Sequence, residues 1–254
     1  MSDTNPLKTL LHQGLVPDAE LPKQTHFLDN EQRLVLPDYY DSNDAVWHIP
    51  KTLLEGIANP AHMYLMPMAQ RLFLWSFIYG VCPKRYLEIG TAEGGSAMIV
   101  MSAIKALGFD DFQGICIDPK FDTSPETKTA LQNNFTFFEE ISSLAVMKKA
   151  KAQVGGFFDV LLVDGDHTYD YALADIILAI PFVQPGGYIL VDDAGYYQVR
   201  DAIQYTVERF GLIDAGFMCR HLTPYKKHHL IEEQGPWQGE TPFMSGLHVL
   251  RKPL

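Results

Sequence analysis

The amino-acid sequence predicts a doubly wound α/β domain, a mostly parallel sheet with helices on both faces, preceded by a partly helical extension. Three observations carry that reading. Uninterrupted apolar runs at residues 85–89, 114–117, 157–163 and 188–191 alternate with helical stretches at 96–107, 169–180 and 198–210. Strands buried on both faces read as continuous apolar runs, and their alternation with helices marks parallel βαβ units. Glycines and carboxylates also gather directly after those runs, at Gly90, Asp118, Asp164 and Asp192, the rim at which open α/β sheets bind ligands.

Taken in order, residues 1–60 carry Pro6, Pro17, Pro22, Pro37 and Pro50 with little periodicity and read as an irregular, largely polar arm. Residues 61–80 are densely apolar and stop at Gly80 and Pro83, which predicts a helix. Its Phe73, Trp75 and Phe77 read as helix core rather than as a stack for a cofactor. The weaker run 135–138 adds a strand, and 246–250 adds the last one. Residues 223–245 form a polar excursion too long for a plain connection, and it reads as a cover over a binding site. Residues 61–254 are thus one domain with an inserted cover segment.

The chain has 254 residues, 47% hydrophobic and 20% charged, with a formal net charge of −11. That length buries a core without staples, and the apolar fraction excludes a disordered chain. The acidic balance repels phosphate backbones and argues against nucleic acid as a principal partner. The most apolar stretch, 72–82, is too short to span a bilayer, and residues 1–14 lack the basic-then-apolar order of a secretory signal. Cys82, Cys116 and Cys219 show neither zinc nor disulfide spacing, which suits a reducing cytoplasm.

The first strand runs through Tyr86, Leu87, Glu88 and Ile89 into Gly90, Thr91, Ala92, Glu93, Gly94, Gly95 and Ser96. Glycine is needed where a strand turns sharply into a helix and the backbone must approach a ligand. The spacing, Glu-x-Gly-x-x-x-Gly-Gly-Ser, lacks the Gly-x-Gly-x-x-Gly of a dinucleotide site. The second strand ends at Asp118, whose carboxylate can accept both hydroxyls of a ribose. Each feature alone is an ordinary turn. Together, at the ends of adjacent strands, they favour an adenosine-type ligand.

These residues resemble the class I S-adenosylmethionine (SAM)-dependent methyltransferases over residues 85–191. The resemblance implies a Rossmann-like, seven-stranded sheet. It also implies Glu88, Gly90, Thr91, Ala92 and Ser96 near the methionine half of SAM, Asp118 at the ribose, and Asp164 beside the cofactor. Ser142 stands where related enzymes place a serine in the adenine pocket, or else it caps a helix.

The fourth strand is followed by Asp164, Gly165, Asp166 and His167, and the fifth by Asp192 and Asp193. Neighbouring strands lie about 4.8 Å apart, so their terminal carboxylates can converge. Close carboxylates repel unless a positive group sits among them, and an all-oxygen set suits Mg²⁺, or Mn²⁺ or Ca²⁺. The plainer alternative makes Asp166 a turn former or helix cap and leaves Asp192 and Asp193 facing water. His221, His228 and His229, near Lys226 and Lys227, read as a solvated face.

The cluster is similar to that of the cephalosporin hydroxylase-like and sugar O-methyltransferases. It also resembles catechol O-methyltransferase, whose metal ligands are an Asp after strand four and an Asp-Asn pair after strand five. That correspondence implies Asp164, Asp192 and Asp193 as metal ligands, with Asp193 replacing the amide. Where catechol O-methyltransferase has a lysine base, this chain has His167. Histidine is competent as a base near neutral pH; the alternative is a helix-start histidine bonded to backbone.

The expectation is methyl transfer from SAM to a hydroxyl of a small molecule, a natural product, sugar or phenol. The cation would hold the hydroxyl oxygen and His167 would take its proton. The rivals are an NAD-dependent oxidoreductase on the same sheet, a metal-independent methyltransferase using His167 alone, and a nucleotide-binding scaffold without chemistry. The N-terminal helix offers a surface for a homodimer.

Overall fold

The computed structural model describes residues 45–59, 62, 64–66, 68–217, 221–223 and 243–254. Helices α1 (Ala45–Ala58) and α2 (Met68–Val81) precede β1 (Arg85–Ile89). Helices and strands then alternate through α3 (Gly95–Leu107), β2 (Gln113–Ile117), α4 (Pro125–Leu131), β3 (Phe135–Phe138) and α5 (Leu144–Gln153). The alternation continues with β4 (Phe158–Val163), α6 (Tyr169–Ala179), β5 (Val183–Val191) and α7 (Tyr197–Phe210). Four more strands follow: β6 (Ile213–Phe217), β7 (His221–Thr223), β8 (Phe243–Ser245) and β9 (His248–Arg251).

Seven strands form one sheet in the order β3-β2-β1-β4-β5-β9-β6. The first five pair in parallel, whereas β9 runs antiparallel to both β5 and β6. The chain winds outward from β1 to β3 and then crosses back to β4, so the order reverses between β1 and β4. At such a switch point the flanking connections leave in opposite directions and a crevice opens at the strand ends.

Both faces are covered, as the uninterrupted apolar runs require. Leu87, Ile89, Ile115, Leu161, Val163 and Ile189 join a core with residues of α5, α6 and α7. The intervening positions Tyr86, Cys116, Val160, Leu162 and Leu190 join a second core with residues of α1, α2 and α3. Side chains alternate along a strand, so each strand feeds both cores.

The described part of the expected irregular arm is helical. Helix α1 runs unbroken through Pro50, and its C-terminal part is core, with Ile57 only 2% exposed. Burial there outweighs the hydrogen bond that a proline cannot make. One hydroxyl ties the layer together: Ser102 Oγ on α3 donates to the Thr52 carbonyl and accepts from Trp75 Nε1. Helix α1 thus packs on the same layer as α2 and α3. Helix α2 begins at Met68 rather than at residue 61. Strand β5 begins earlier than expected, at Val183. It passes Pro185, Gly186 and Gly187 with a register shift against β4, the kind of irregularity that proline and glycine mark in strands.

Residues 224–242 of the expected cover segment, with His228 and His229, lie outside the described residues. The strands that flank them, β7 and β8, pair antiparallel as a separate ribbon. Among the described residues no helix is long and apolar enough to cross a membrane.

Candidate active site

Ile117, Ile89, Val163 and Val191 are register partners across β2, β1, β4 and β5. The next residue on each strand is Asp118, Gly90, Asp164 and Asp192, so four site residues stand in one row along the sheet edge. Backbone bonds continue the ladder into that row: Gly90 N–H donates to Ile117 O at 2.9 Å, Asp164 to Ile89 at 2.8 Å and Asp192 to Val163 at 2.9 Å. Three strand spacings make the row about 14 Å long. A cleft of about 560 Å³ runs along it, and its walls include Thr91, Ala92, Ser96, Ser142, His167 and Asp193.

Gly90 has φ +88°, and a β-carbon there would stand 1.9 Å from the Asp164 carbonyl oxygen. Ala92 also adopts a left-handed backbone, at φ 44°, a conformation an L-residue keeps only when its surroundings hold it. Its N–H donates to Asp118 Oδ2 at 2.9 Å, and its carbonyl accepts from Thr123 Oγ1 at 2.9 Å. Asp118 Oδ1 accepts the Lys120 N–H at 2.8 Å, so this carboxylate is locked in place at the cleft wall. Gly95 and Ser96 bring the first turn of α3 to the same wall, adding the partial positive charge of a helix N-terminus.

Glu88 does not line the cleft. It is 0% exposed and accepts from the Tyr86 hydroxyl at 2.8 Å and the Cys116 thiol at 3.7 Å. Strand parity explains the placement: Glu88 shares a face with Tyr86, beneath the loop. Burial pushes its carboxyl up, against the pull of those hydrogen bonds, and pushes the Tyr86 phenol well above its ordinary value.

At the other end Asp164, Asp192, Asp193 and His167 come together. Asp164 and Asp192 follow adjacent strands and repel each other when charged. Asp193 is turned by a left-handed backbone at φ 50°, and its Oδ2 lies 3.2 Å from His167 Nε2, which is 3.9 Å from Asp164 Oδ1. That nitrogen is buried and makes no hydrogen bond among the described residues. The imidazole is held flat against Tyr196, with ring centroids 5.4 Å apart and planes within 5°. Burial first, and neighbouring carboxylates second, push Asp164 and Asp192 well above the usual carboxylate range. Buried oxygens in want of positive charge match the chemistry of a hard cation. Among the described residues, however, no three His, Cys, Asp or Glu side chains are arranged to hold a metal ion. The acids supply charge but not a finished cage.

Residues 87–194, which hold the row, the loop and the acidic end, match the family described as a methyltransferase domain. Over that segment the chain is similar to a methyltransferase domain. Its sheet, parallel but for one strand, has the Rossmann-like methyltransferase fold. Solved structures agree: an O-methyltransferase from Bacillus cereus in complex with SAH superposes with TM-score 0.54 at 11% identity, covering 98% of each chain. The O-methyltransferase TomG from Streptomyces achromogenes, involved in tomaymycin synthesis and solved with SAM, superposes with TM-score 0.53 at 15% identity, covering 84% of this chain and 92% of TomG. At such identities the likeness establishes the fold. A curated relative, the uncharacterized protein R132 of Acanthamoeba polyphaga mimivirus, is 27% identical over 150 residues, which are 56% of this chain and 64% of that protein.

The geometry settles several alternatives locally. Asp166 is a turn former, its Oδ1 accepting the Thr168 N–H at 2.8 Å. Ser142 is not the helix cap; Ser143 caps α5, accepting from the Val146 N–H, and Ser142 Oγ donates to Asp175. Two cleft residues escaped the sequence reading. Asp175 on α6 is 6% exposed, and burial raises its carboxyl. Gln70 on α2 is 1% exposed, and its Nε2 donates to Asp192 Oδ1 at 2.6 Å. The signal for both was the same: a polar residue set into an apolar helical stretch.

Proposed function

We propose that the chain transfers the methyl group of SAM to a hydroxyl of a small molecule, a natural product, sugar or phenol, aided by a divalent cation at the acidic end of the cleft. One observation carries the reading: a single cleft joins the Gly90–Ser96 loop and Asp118 to His167 and the three carboxylates. The donor is also supported by the SAH and SAM held in the B. cereus enzyme and in TomG. In this reading Gly90, Thr91, Ala92 and Ser96 receive the methionine half, Asp118 the ribose, and Ser142 the adenine end, with Asp164 between donor and acceptor. Glu88 acts from below the loop, fixed by its hydrogen bonds from Tyr86 and Cys116.

Asp164, Asp192 and Asp193 would hold Mg²⁺, or Mn²⁺ or Ca²⁺, which when bound would lower the pKa of an acceptor hydroxyl. His167 receives the hydroxyl proton at Nε2, oriented by Asp193 and by its stack on Tyr196. Alignment of the hydroxyl oxygen, methyl carbon and sulfur supplies much of the rate, on the order of 7–11 kcal/mol for well-placed reactants. The isolated cysteines support a reducing compartment, the cytoplasm.

The test is transfer of radiolabelled methyl from SAM across a panel of hydroxylated small molecules, with Mg²⁺ or with chelator. Labelled product that disappears with chelator and in Asp164→Asn, while S-adenosylhomocysteine (SAH) still binds, supports the reading. Failure of the wild-type protein to bind SAM or SAH sinks it. A metal-independent variant of the reading is favoured by one observation, the His167 Nε2 already lying near both Asp164 and Asp193; turnover indifferent to chelator selects it.

A further inference from the structure

We infer that Asp175 reads the amino edge of the donor's adenine, forming with Ser142 a pair of hydrogen-bond acceptors that takes a 6-amino purine and refuses a 6-oxo one. The inference rests on the SAM-binding reading above and is independent of any cation. Asp175 and Ser142 both line the cleft, and Ser142 Oγ donates to Asp175 Oδ1. Ser142 follows β3, the edge strand beyond β2, and Asp118 N–H donates to the last carbonyl of β3, that of Phe138, at 3.2 Å. The pair therefore sits past Asp118, away from the acidic end. Gly165, also in the cleft wall, makes room for it: a β-carbon there would stand 2.9 Å from Asp175 Oδ2.

The direction of the bond between the two side chains decides what they can bind. A hydroxyl has one proton, and Ser142 gives it to Asp175, so toward a ligand Ser142 can only accept. An ionised carboxylate also only accepts. Two joined acceptors call for a group with two protons to give, and the exocyclic amine of adenine carries both on one atom. A 6-oxo group would set lone pairs against lone pairs. A flat base also finds apolar walls here. Ile141, next to Ser142, and Tyr171, one helical turn before Asp175, line the same cleft while 71% and 61% exposed. Large apolar side chains left open beside a few polar groups suit the faces of a purine.

The experiment measures binding of SAH and of S-inosylhomocysteine, its 6-oxo analogue, by calorimetry to wild-type, Asp175→Asn and Ser142→Ala proteins. Wild type should prefer SAH about tenfold or more. Asp175→Asn keeps the shape, but once its oxygen takes the Ser142 proton its amide nitrogen presents donors to the ligand. SAH should weaken about tenfold and the 6-oxo analogue should hold or gain, so that the preference vanishes or inverts. Ser142→Ala removes one acceptor and should narrow the preference without inverting it. If Asp175 only ties Ser142 to α6, Asp175→Asn weakens both ligands alike, the preference stays, and the inference is overturned. Wild-type protein that binds both ligands equally overturns it too, while leaving the SAM-binding reading intact. Wild-type protein that binds neither removes that reading and this inference with it. Should Asp175→Asn fail to fold, Ser142→Ala decides: a narrowed preference upholds the inference and an unchanged one overturns it.

Discussion

Gly90 and Asp164 approach so closely that a β-carbon on Gly90 would stand 1.9 Å from the Asp164 carbonyl oxygen. The obstacle is backbone, which cannot swing aside, and φ +88° adds strain for any L-residue. Gly90→Ala should cost on the order of 3 kcal/mol of stability and displace the loop and Asp164 together. Thermal unfolding and SAH calorimetry check this; a variant that melts and binds like wild type would show that the two strand ends are free to part.

His167 combines a buried Nε2 near two carboxylates with a ring stacked on Tyr196. His167→Phe retains an aromatic ring for the stack and removes the nitrogen. Turnover should fall by about 10²–10⁴-fold, the usual contribution of a positioned base, with SAH affinity unchanged. Comparable turnover in the two proteins would assign the proton elsewhere.

Glu88 predicts a pH effect with a definite sign. Burial raises its folded-state pKa above the unfolded value, so the unfolded chain ionises first as pH rises. The contribution to stability is fully present below the unfolded pKa and is lost as pH rises through the raised folded value. Melting temperature measured upward from about pH 4.5 should therefore decline more steeply for wild type than for Glu88→Gln. Parallel curves would mean that the carboxyl titrates alike in both states.

Ser102 tests the attachment of the N-terminal helices. Its hydroxyl serves both the Thr52 carbonyl and Trp75 Nε1, so Ser102→Ala leaves the buried Trp75 Nε1 unpaired and removes the side-chain tie to α1. The expected loss is about 1–3 kcal/mol, read as a lower denaturant midpoint at unchanged slope. No loss would mean that α1 and α2 lie on the sheet without being held there.

The strand ends were legible because chemistry and pattern coincide there. Apolar runs marked where β1, β2, β4 and β5 stop, and Gly90, Asp118, Asp164 and Asp192 follow those stops directly. Helix α1 was not legible, since Pro50 and a proline-rich neighbourhood read as loop while the packing that stabilises the helix comes from α3. Residues 223–245 read as a cover, and 224–242 of them lie outside the described residues.

Local pattern thus sufficed for the strands of the rim and their parallel topology, because period and strand termination are written in adjacent residues. Parity and distance were another matter. Glu88 faces down, Asp166 closes a turn, and Gln70 crosses 122 positions to reach Asp192. Which way a side chain points, and what meets it from another element, depends on how whole layers pack, and no neighbouring residue in the chain encodes that.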